Sequence, residues 1–219
     1  MDAHSRLGLC ENRNTIGAQI VSFPEKAVCT GDGIRVIIEA QRRSHMEGYR
    51  WKTAVVTLSD KGYRREREDK SAPLIQELLS AEDYDVAAKI LLPDEQVMIE
   101  RELIRLCDEE HMDLILTTGG TGFAERDCTP EATLCVADRN APGIADAMRY
   151  FSLQITPRAM LGRGVSVIRG KTLIVNLPGS PKAVRENLSF ILPSLGHGLG
   201  ILTGRESECA ALAQRHGKA

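Results

Sequence analysis

A glycine-rich run followed closely by an aspartate is the part of this sequence best suited to chemistry. Glycine occupies three of the four positions 119–122, and Asp127 follows five residues later. Glycines permit positive φ values and close backbone approach, so that successive N–H groups can form an anion-binding concavity. A carboxylate beside such a loop would repel a phosphate unless a cation lay between them. The pair therefore predicts Mg²⁺ bound together with a nucleotide-like ligand.

The residues around this run fit a strand, a loop and then a helix. The apolar run 114–117 predicts a buried strand, and Thr129 is expected to cap a helix whose first position is Pro130. The positive end of that helix dipole would favour a bound anion. A glycine-rich connection after a strand is equally often a simple tight turn, so Asp127 is the feature that favours a ligand site.

The wider pattern predicts an α/β fold from residue 52 onward. Strands are expected at 53–58, 86–92, 114–117, 165–168 and 172–176, and helices near 71–79, 94–107, 130–138, 143–151 and from 180. The last two strands are expected to form a hairpin turned at 169–170, and the charged segment 61–70 is expected to be a surface loop. This alternation is typical of a three-layer α/β/α sandwich with a mostly parallel sheet. Ligands in such folds bind outside the carboxyl ends of the strands. The loops after four strands, at 59–60, 94, 119–127 and 177–180, are therefore expected to converge.

Two runs carry a resemblance to a known family. The run TTGGTGFAERDCTPEAT at 117–133 resembles the signature of the MoaB/Mog-like family, which contains molybdopterin-binding proteins and molybdopterin adenylyltransferases, the first domain of gephyrin among them. The run Asn176–Lys182 is similar to that family's other loop, and the resemblance extends over about 52–203. It implies a molybdopterin-binding-domain fold. It also implies adenylylation of molybdopterin by Mg-ATP, which gives adenylyl-molybdopterin and pyrophosphate.

The resemblance assigns catalysis to two carboxylates. Asp94 matches a family carboxylate that is important for adenylyl transfer, although capping of the following helix would also explain an aspartate after Pro93. Asp127 matches the aspartate of the family's glycine loop, where a purely structural role is harder to picture. Either residue could bind Mg²⁺ or orient the nucleophile, and the sequence leaves that division open.

The remaining candidates lie in the same loops. Asp69 and Ser71 fall where the family usually has Asp-Arg-Ser-Gly, and Ala72 replaces the glycine, which argues against a backbone contact there that needs positive φ. Ser71 is also expected to cap a helix. The predicted ligand-binding residues are Ser59, Asp60, Asp69, Ser71, Thr118, Gly119, Gly120, Thr121, Gly122, Arg126, Thr129, Asn176, Pro178, Gly179, Ser180 and Lys182.

The last loop contains both a turn and a cation. Pro178-Gly179 favours a turn and Ser180-Pro181 a helix start, so ordinary geometry explains most of it. Lys182 is not explained in this way, because a helix N-terminus disfavours a cation unless an anion is bound nearby. Asn176 could offer its amide to the edge of the pterin.

Charge and cysteine spacing exclude other classes of protein. The formal net charge of −2 over 219 residues supplies no basic field for nucleic acid, and no run is long and apolar enough for a membrane span. We therefore expect a cytoplasmic protein. The six cysteines have no C-x-x-C spacing, which argues against a zinc or dithiol site. Cys107 and Cys135 are predicted to lie in the core, and Cys128 has no histidine in its loop that could activate it.

The chain is predicted to have three parts. Residues 1–50 read as a small β-rich extension with a linker, 51–205 as the molybdopterin-binding adenylyltransferase domain, and 206–219 as a tail. The extension could equally be a strand pair that pads the main domain or an oligomer contact. The resemblance implies a homotrimer and a molybdenum-insertion partner protein. The alternative function is a non-catalytic molybdopterin carrier or scaffold.

Overall fold

The protein's computed structural model describes residues 49–205. Six strands of this part form one sheet in the order β2-β1-β3-β6-β5-β4. Their bounds are β1 Trp51–Leu58, β2 Tyr84–Leu92, β3 Leu114–Thr118, β4 Arg139–Asn140, β5 Ser166–Arg169 and β6 Thr172–Leu177. The first four strands in this order are parallel to their neighbours, whereas β5 runs antiparallel to β6 and β4 antiparallel to β5. The predicted mostly parallel sheet is confirmed.

The helices cover both faces of the sheet. They are α1 Asp60–Tyr63, α2 Ser71–Ser80, α3 Gln96–Asp108, α4 Thr129–Cys135, α5 Pro142–Leu153 and α6 Pro181–Thr203, with a 3₁₀ helix at Pro157–Leu161. The predicted hairpin of β5 and β6 is confirmed. Its turn contains Gly170 at φ +55°. The short strand β4 was not predicted, because a two-residue edge pairing leaves no periodicity in the sequence.

Alternation along the central strands separates two apolar cores. Leu114 and Leu116 of β3 pack on one face with residues of α2, α5 and α6, such as Ile75 and Leu188. Ile115, between them in the chain, packs on the other face with α3 and α4. Successive strand side chains point to opposite faces, so a strand that is covered on both sides must be apolar throughout. The arrangement is the predicted three-layer sandwich.

Two local predictions were only partly right. Cys107 is buried as expected, but Cys135 is exposed at the end of α4, on the helix face that also carries the exposed Glu131 and Leu134. The segment 61–70, predicted to be a surface loop, begins with the single helical turn of α1, which Ser59 caps by accepting a hydrogen bond from the Gly62 N–H at 3.1 Å.

The expectations for the chain ends lie outside the described residues, except for Tyr49 and Arg50. None of the helices within 49–205 is long and apolar enough to cross a membrane.

Candidate functional site

Four loops meet at the carboxyl ends of the parallel strands and surround a cleft of about 720 Å³. Each loop follows one of β1, β2, β3 and β6, as the strand pattern predicted. This volume lies within the range of small-molecule sites, roughly 300–1,000 Å³. The predicted residues that line the cleft are Ser59, Asp69, Ser71, Asp94, Thr118, Gly119, Gly120, Asp127, Gly179 and Ser180.

Backbone-to-backbone packing holds three of these loops together. Gly119 has φ +100°, and a Cβ built on it would lie 2.2 Å from the Leu58 carbonyl oxygen. A Cβ on Gly179 would lie 3.3 Å from the Gly119 Cα. Only glycine allows this approach, because any side chain at 119 would overlap the end of β1. These glycines are therefore required for loop packing, whatever ligand binds.

Hydroxyl groups connect the same loops. Thr118 Oγ1 donates to the Pro178 carbonyl at 2.7 Å, and Ser71 Oγ donates to the Gly179 carbonyl at 3.2 Å. Thr129 Oγ1 donates to the Gly119 carbonyl at 2.9 Å. The predictions that Ser71 and Thr129 cap helices were wrong, since both residues are the first of their helices and neither is the N-cap. Their hydroxyls are used across the fold because a loop carbonyl lies within reach.

Asp69 accepts hydrogen bonds from backbone N–H groups at the start of α2. Its Oδ1 accepts hydrogen bonds from the backbone N–H groups of Ser71 at 2.8 Å and Ala72 at 3.1 Å. Its Oδ2 accepts from the Thr57 hydroxyl at 2.7 Å. Both oxygens of Asp69 thus support the loop, although the residue also borders the cleft.

Asp60 and Asp94 hold the ends of β1 and β2 together. Asp94 Oδ2 accepts from the Asp60 N–H at 2.9 Å, and Asp60 Oδ1 accepts from the Asp94 N–H at 3.1 Å. Asp94 does not cap α3, because the N-cap is Glu95, which itself makes no side-chain cap. The alternative explanation of Asp94 as a helix cap was wrong.

The second oxygen of Asp94 is buried without a protein partner. Within the part of the chain that the structure describes, Asp94 Oδ1 makes no hydrogen bond. A Cβ on Gly120, which has φ +61°, would lie 2.9 Å from this oxygen, so the oxygen faces the glycine loop. Burial, followed by the charges of Asp60 and Asp127, raises the pKa of Asp94 above its ordinary value. A buried, unpaired carboxylate oxygen is costly unless a ligand completes its coordination.

The glycine loop folds around the carboxylate of Asp127. Asp127 Oδ2 accepts from the N–H groups of Gly122 at 2.9 Å and Ala124 at 3.2 Å. A Cβ on Gly122 would lie 2.8 Å from the same oxygen. The loop therefore fixes Asp127 beside Asp94 at the cleft, and this explains the third glycine of the run.

The two carboxylates fit a Mg²⁺ site that needs further ligands from substrate. Among residues 49–205, no group of three His, Cys, Asp or Glu side chains could hold a metal ion alone. Mg²⁺ is commonly bound through one or two carboxylates plus waters and substrate phosphates, so a dedicated protein cage is not required. The unpaired Oδ1 of Asp94 beside Asp127 meets this requirement.

Three predicted binding residues are occupied by other contacts. The Arg126 guanidinium binds Asp60 at 3.0 Å and Glu95 at 2.9 Å, and the hydrogen bonds from Arg126 hold the pKa of Asp60 below its ordinary value. Lys182 is 82% exposed and lies 3.9 Å from Glu186, a carboxylate one helical turn away. The third residue, Asn176, is buried under the loops.

The Asn176 amide is fully used inside the protein. Its Nδ2 donates to the hydroxyls of Thr117 and Thr133, each at 2.9 Å, and its Oδ1 accepts from the Val165 N–H at 3.2 Å. Thr121 and Pro178 border, with Asn176, a second pocket of about 260 Å³. The amide therefore braces β6 against β3 and α4.

We expect Asn176→Ala to lower the free energy of unfolding by about 2 to 3 kcal/mol, because it leaves buried polar groups unpaired. Urea unfolding measures this change. Asn140→Ala, at an exposed position, is the matched control and should change stability by less than about 0.5 kcal/mol. Equal effects of the two substitutions would show that the buried amide network contributes nothing.

Two cations at the cleft were not predicted. Arg67 and Lys70 line it, and Arg67 Nη2 lies 3.3 Å from Ser59 Oγ. Both belong to the segment that the sequence indicated as a surface loop. Their proximity to Asp69 and Ser71 in the sequence was the one available signal.

Comparison with known proteins agrees with this geometry. Residues 54–197 match the family model described as "Probable molybdopterin binding domain". The molybdopterin adenylyltransferase of Escherichia coli K12 is 44% identical over 146 residues, which cover 65% of this chain and 74% of that protein. The molybdopterin adenylyltransferase of Helicobacter pylori J99 is 41% identical over 157 residues, which cover 68% of this chain and 86% of that protein.

A solved structure supports the same assignment. The molybdopterin biosynthesis enzyme MoaB from Thermus thermophilus superimposes with a TM-score of 0.68 at 51% identity, and the match covers 70% of this chain and 97% of that one. The family model, the relatives and the solved structure all point to one family. The chain belongs to the molybdopterin-binding domain family that includes the MoaB and Mog proteins.

Proposed function

We propose that this protein adenylylates molybdopterin with Mg-ATP and releases pyrophosphate. The observation that carries the proposal is the buried Asp94 Oδ1, which has no partner within 49–205 and faces a glycine loop in a cleft large enough for a nucleotide. Such an oxygen suits a cation that arrives with substrate phosphates. The molybdopterin adenylyltransferases at 41% to 44% identity support this choice of reaction.

The reaction needs no nucleophile from the protein. A terminal phosphate oxygen of molybdopterin forms a bond to the α-phosphorus of ATP, while the bond from that phosphorus to the bridging oxygen breaks and pyrophosphate leaves. Mg²⁺, when bound, neutralises charge on the phosphates. The protein's contribution is to position the two substrates and to place charges around them.

The lining residues divide this work. Asp94 and Asp127 would hold the metal ion, and the N–H groups of Gly119 and Gly120, which line the cleft, would face the phosphates. Arg67 and Lys70 supply positive charge to the same cleft. Carboxylates favour a metal ion and cations favour phosphates, so a cleft that contains both is suited to a metal-bound polyphosphate.

Asp127→Asn is expected to lower pterin-dependent pyrophosphate release by roughly 100-fold while pterin affinity stays within about threefold. The Asn oxygen can still accept from the Gly122 N–H, so that the loop keeps its shape and only the charge is lost. The measurement is pyrophosphate release from Mg-ATP with and without metal-free molybdopterin, alongside pterin binding by calorimetry.

Asp138→Asn is the matched control for this experiment. Asp138, just before β4, also accepts a hydrogen bond from a glycine N–H, that of Gly170 in the β5–β6 turn at 2.7 Å, but it does not line the cleft. It should keep wild-type turnover. Pterin binding by the wild-type protein without any pyrophosphate release would sink the enzyme proposal and favour the carrier or scaffold.

Three further expectations accompany this function, and two of them, the homotrimer and the partner protein, follow from the family resemblance. The protein would act in the cytoplasm, as a homotrimer, and pass its product to a molybdenum-insertion partner protein. Sedimentation of the purified protein tests the homotrimer.

A further inference from the structure

Arg163 lies outside the motifs described above, in the segment between the 3₁₀ helix and β5. It nevertheless forms hydrogen bonds to the glycine loop. Its Nε donates to the Gly122 carbonyl at 2.6 Å, and its Nη2 donates to the Asp127 carbonyl at 2.6 Å. Its Nη1 forms an ion pair with Glu131 in the first turn of α4. Its backbone N–H donates to the Thr121 carbonyl at 3.0 Å.

These acceptors mark the two ends of one loop segment. Gly122 and Asp127 bound the segment 122–127, and the Asp127 carboxylate accepts hydrogen bonds from the N–H groups of Gly122 and Ala124 in it. The Arg163 guanidinium therefore binds carbonyl groups of the same segment whose N–H groups the Asp127 carboxylate binds. A planar guanidinium with five N–H donors suits this task, whereas a lysine ammonium could not span the same acceptors in a fixed plane.

Few apolar contacts hold the segment 122–127 in place besides the hydrogen bonds from Arg163. Phe123, inside the segment, is 70% exposed, and the neighbouring Ala124 and Glu125 are also exposed. A loop with little buried apolar surface depends on its hydrogen bonds for a single conformation. The position of the Asp127 carboxylate therefore depends on the groups that hold carbonyls 122 and 127.

We propose that Arg163 is a positioning residue, which fixes the Asp127 carboxylate beside Asp94 in the arrangement that adenylyl transfer requires. This inference rests on the proposed function for its catalytic consequence, but its structural part concerns the free protein alone. Displacement of a catalytic group by about 1 Å can cost roughly 100-fold in rate. Loss of the Arg163 hydrogen bonds should therefore lower turnover far more than it lowers the free energy of unfolding.

The first test is hydrogen exchange of the free protein. Arg163→Met should speed exchange of amides 122–127 at least tenfold relative to wild type. Arg169→Met is the matched control, since Arg169 likewise binds a carboxylate, Asp108 at 2.6 Å, and a backbone carbonyl, Val136 at 3.0 Å, at the far end of β5. It should leave exchange of 122–127 unchanged. Unchanged exchange in Arg163→Met would overturn the inference, whatever the protein's activity.

The second test is a double-substitution cycle on pyrophosphate release. Arg163→Met should lower kcat by roughly 100-fold with little change in the KM for pterin, and Arg163→Lys should recover part of the loss. In the Asp127→Asn background, Arg163→Met should cost less than about threefold, because both changes remove the same function. Fully additive effects would contradict a role through Asp127. Absence of release by the wild type would refute the proposed function and leave the exchange result to decide the inference.

Discussion

Asp94→Asn is expected to lower the rate of adenylyl transfer by roughly 100- to 1,000-fold, because it removes the charge of the one buried carboxylate oxygen that the described part of the protein leaves unpaired. The asparagine oxygen can still accept from the Asp60 N–H, so β1 and β2 stay joined. Burial and the nearby charges of Asp60 and Asp127 disfavour the ionised form of Asp94, and they therefore raise its pKa. Neutralisation should therefore leave the free energy of unfolding undiminished.

Steady-state pyrophosphate release and urea unfolding, measured on the same preparation, separate these two effects. Asp108→Asn is the charge-matched control, since Asp108 pairs with Arg169 at the end of α3, outside the residues that line the cleft. It should retain turnover within about threefold. A parallel loss of stability and activity in Asp94→Asn would contradict a functional role and indicate that the carboxylate is structural.

Gly119→Ala is expected to have the largest effect on stability, a loss of about 3 kcal/mol or more, since two penalties combine. The new Cβ would lie 2.2 Å from the Leu58 carbonyl oxygen, and φ at this position is +100°. Relief requires the ends of β1 and β3 to separate, which would also open the contact with Gly179. Thermal and urea unfolding measure the loss.

Gly170→Ala distinguishes overlap from backbone strain. Gly170 also has positive φ, at +55°, but no atom lies within 4 Å of a Cβ built there. It should cost only about 1 to 2 kcal/mol, the penalty for a left-handed residue with a side chain. Similar losses at 119 and 170 would show that the approach of Leu58 to Gly119 does not matter.

Much of the architecture follows from short-range pattern. The apolar runs of β1 and β3 are buried on both faces, and their alternation with helices fixes a parallel sheet with ligand loops at one edge. The convergence of Asp94, Asp127 and the glycines was predictable for this reason. The glycines themselves were recognised, although their tightest contact is with protein backbone.

The sequence predicted poorly which groups the polar side chains would contact. Ser71, Thr129 and Asp94 all looked like helix caps, and none of them caps a helix. Asn176 and Lys182 stay predicted ligand contacts, but the sequence did not indicate their protein partners: the Asn176 amide donates to two threonine hydroxyls, and the Lys182 ammonium lies 3.9 Å from Glu186. Capping rules see only a few neighbouring residues, so they cannot anticipate an acceptor supplied from a distant loop.

The sequence by itself determined the sheet, its two apolar cores and the edge at which four loops meet, because these depend on periodicity and on the fixed direction of parallel strands. Only the tertiary structure decided which polar groups are satisfied. It left Asp94 Oδ1 unpaired within the described chain, and it joined Arg163 to a glycine loop in a distant part of the sequence. Hydrogen bonds depend on distances of a few tenths of an ångström between distant segments, which no local pattern encodes.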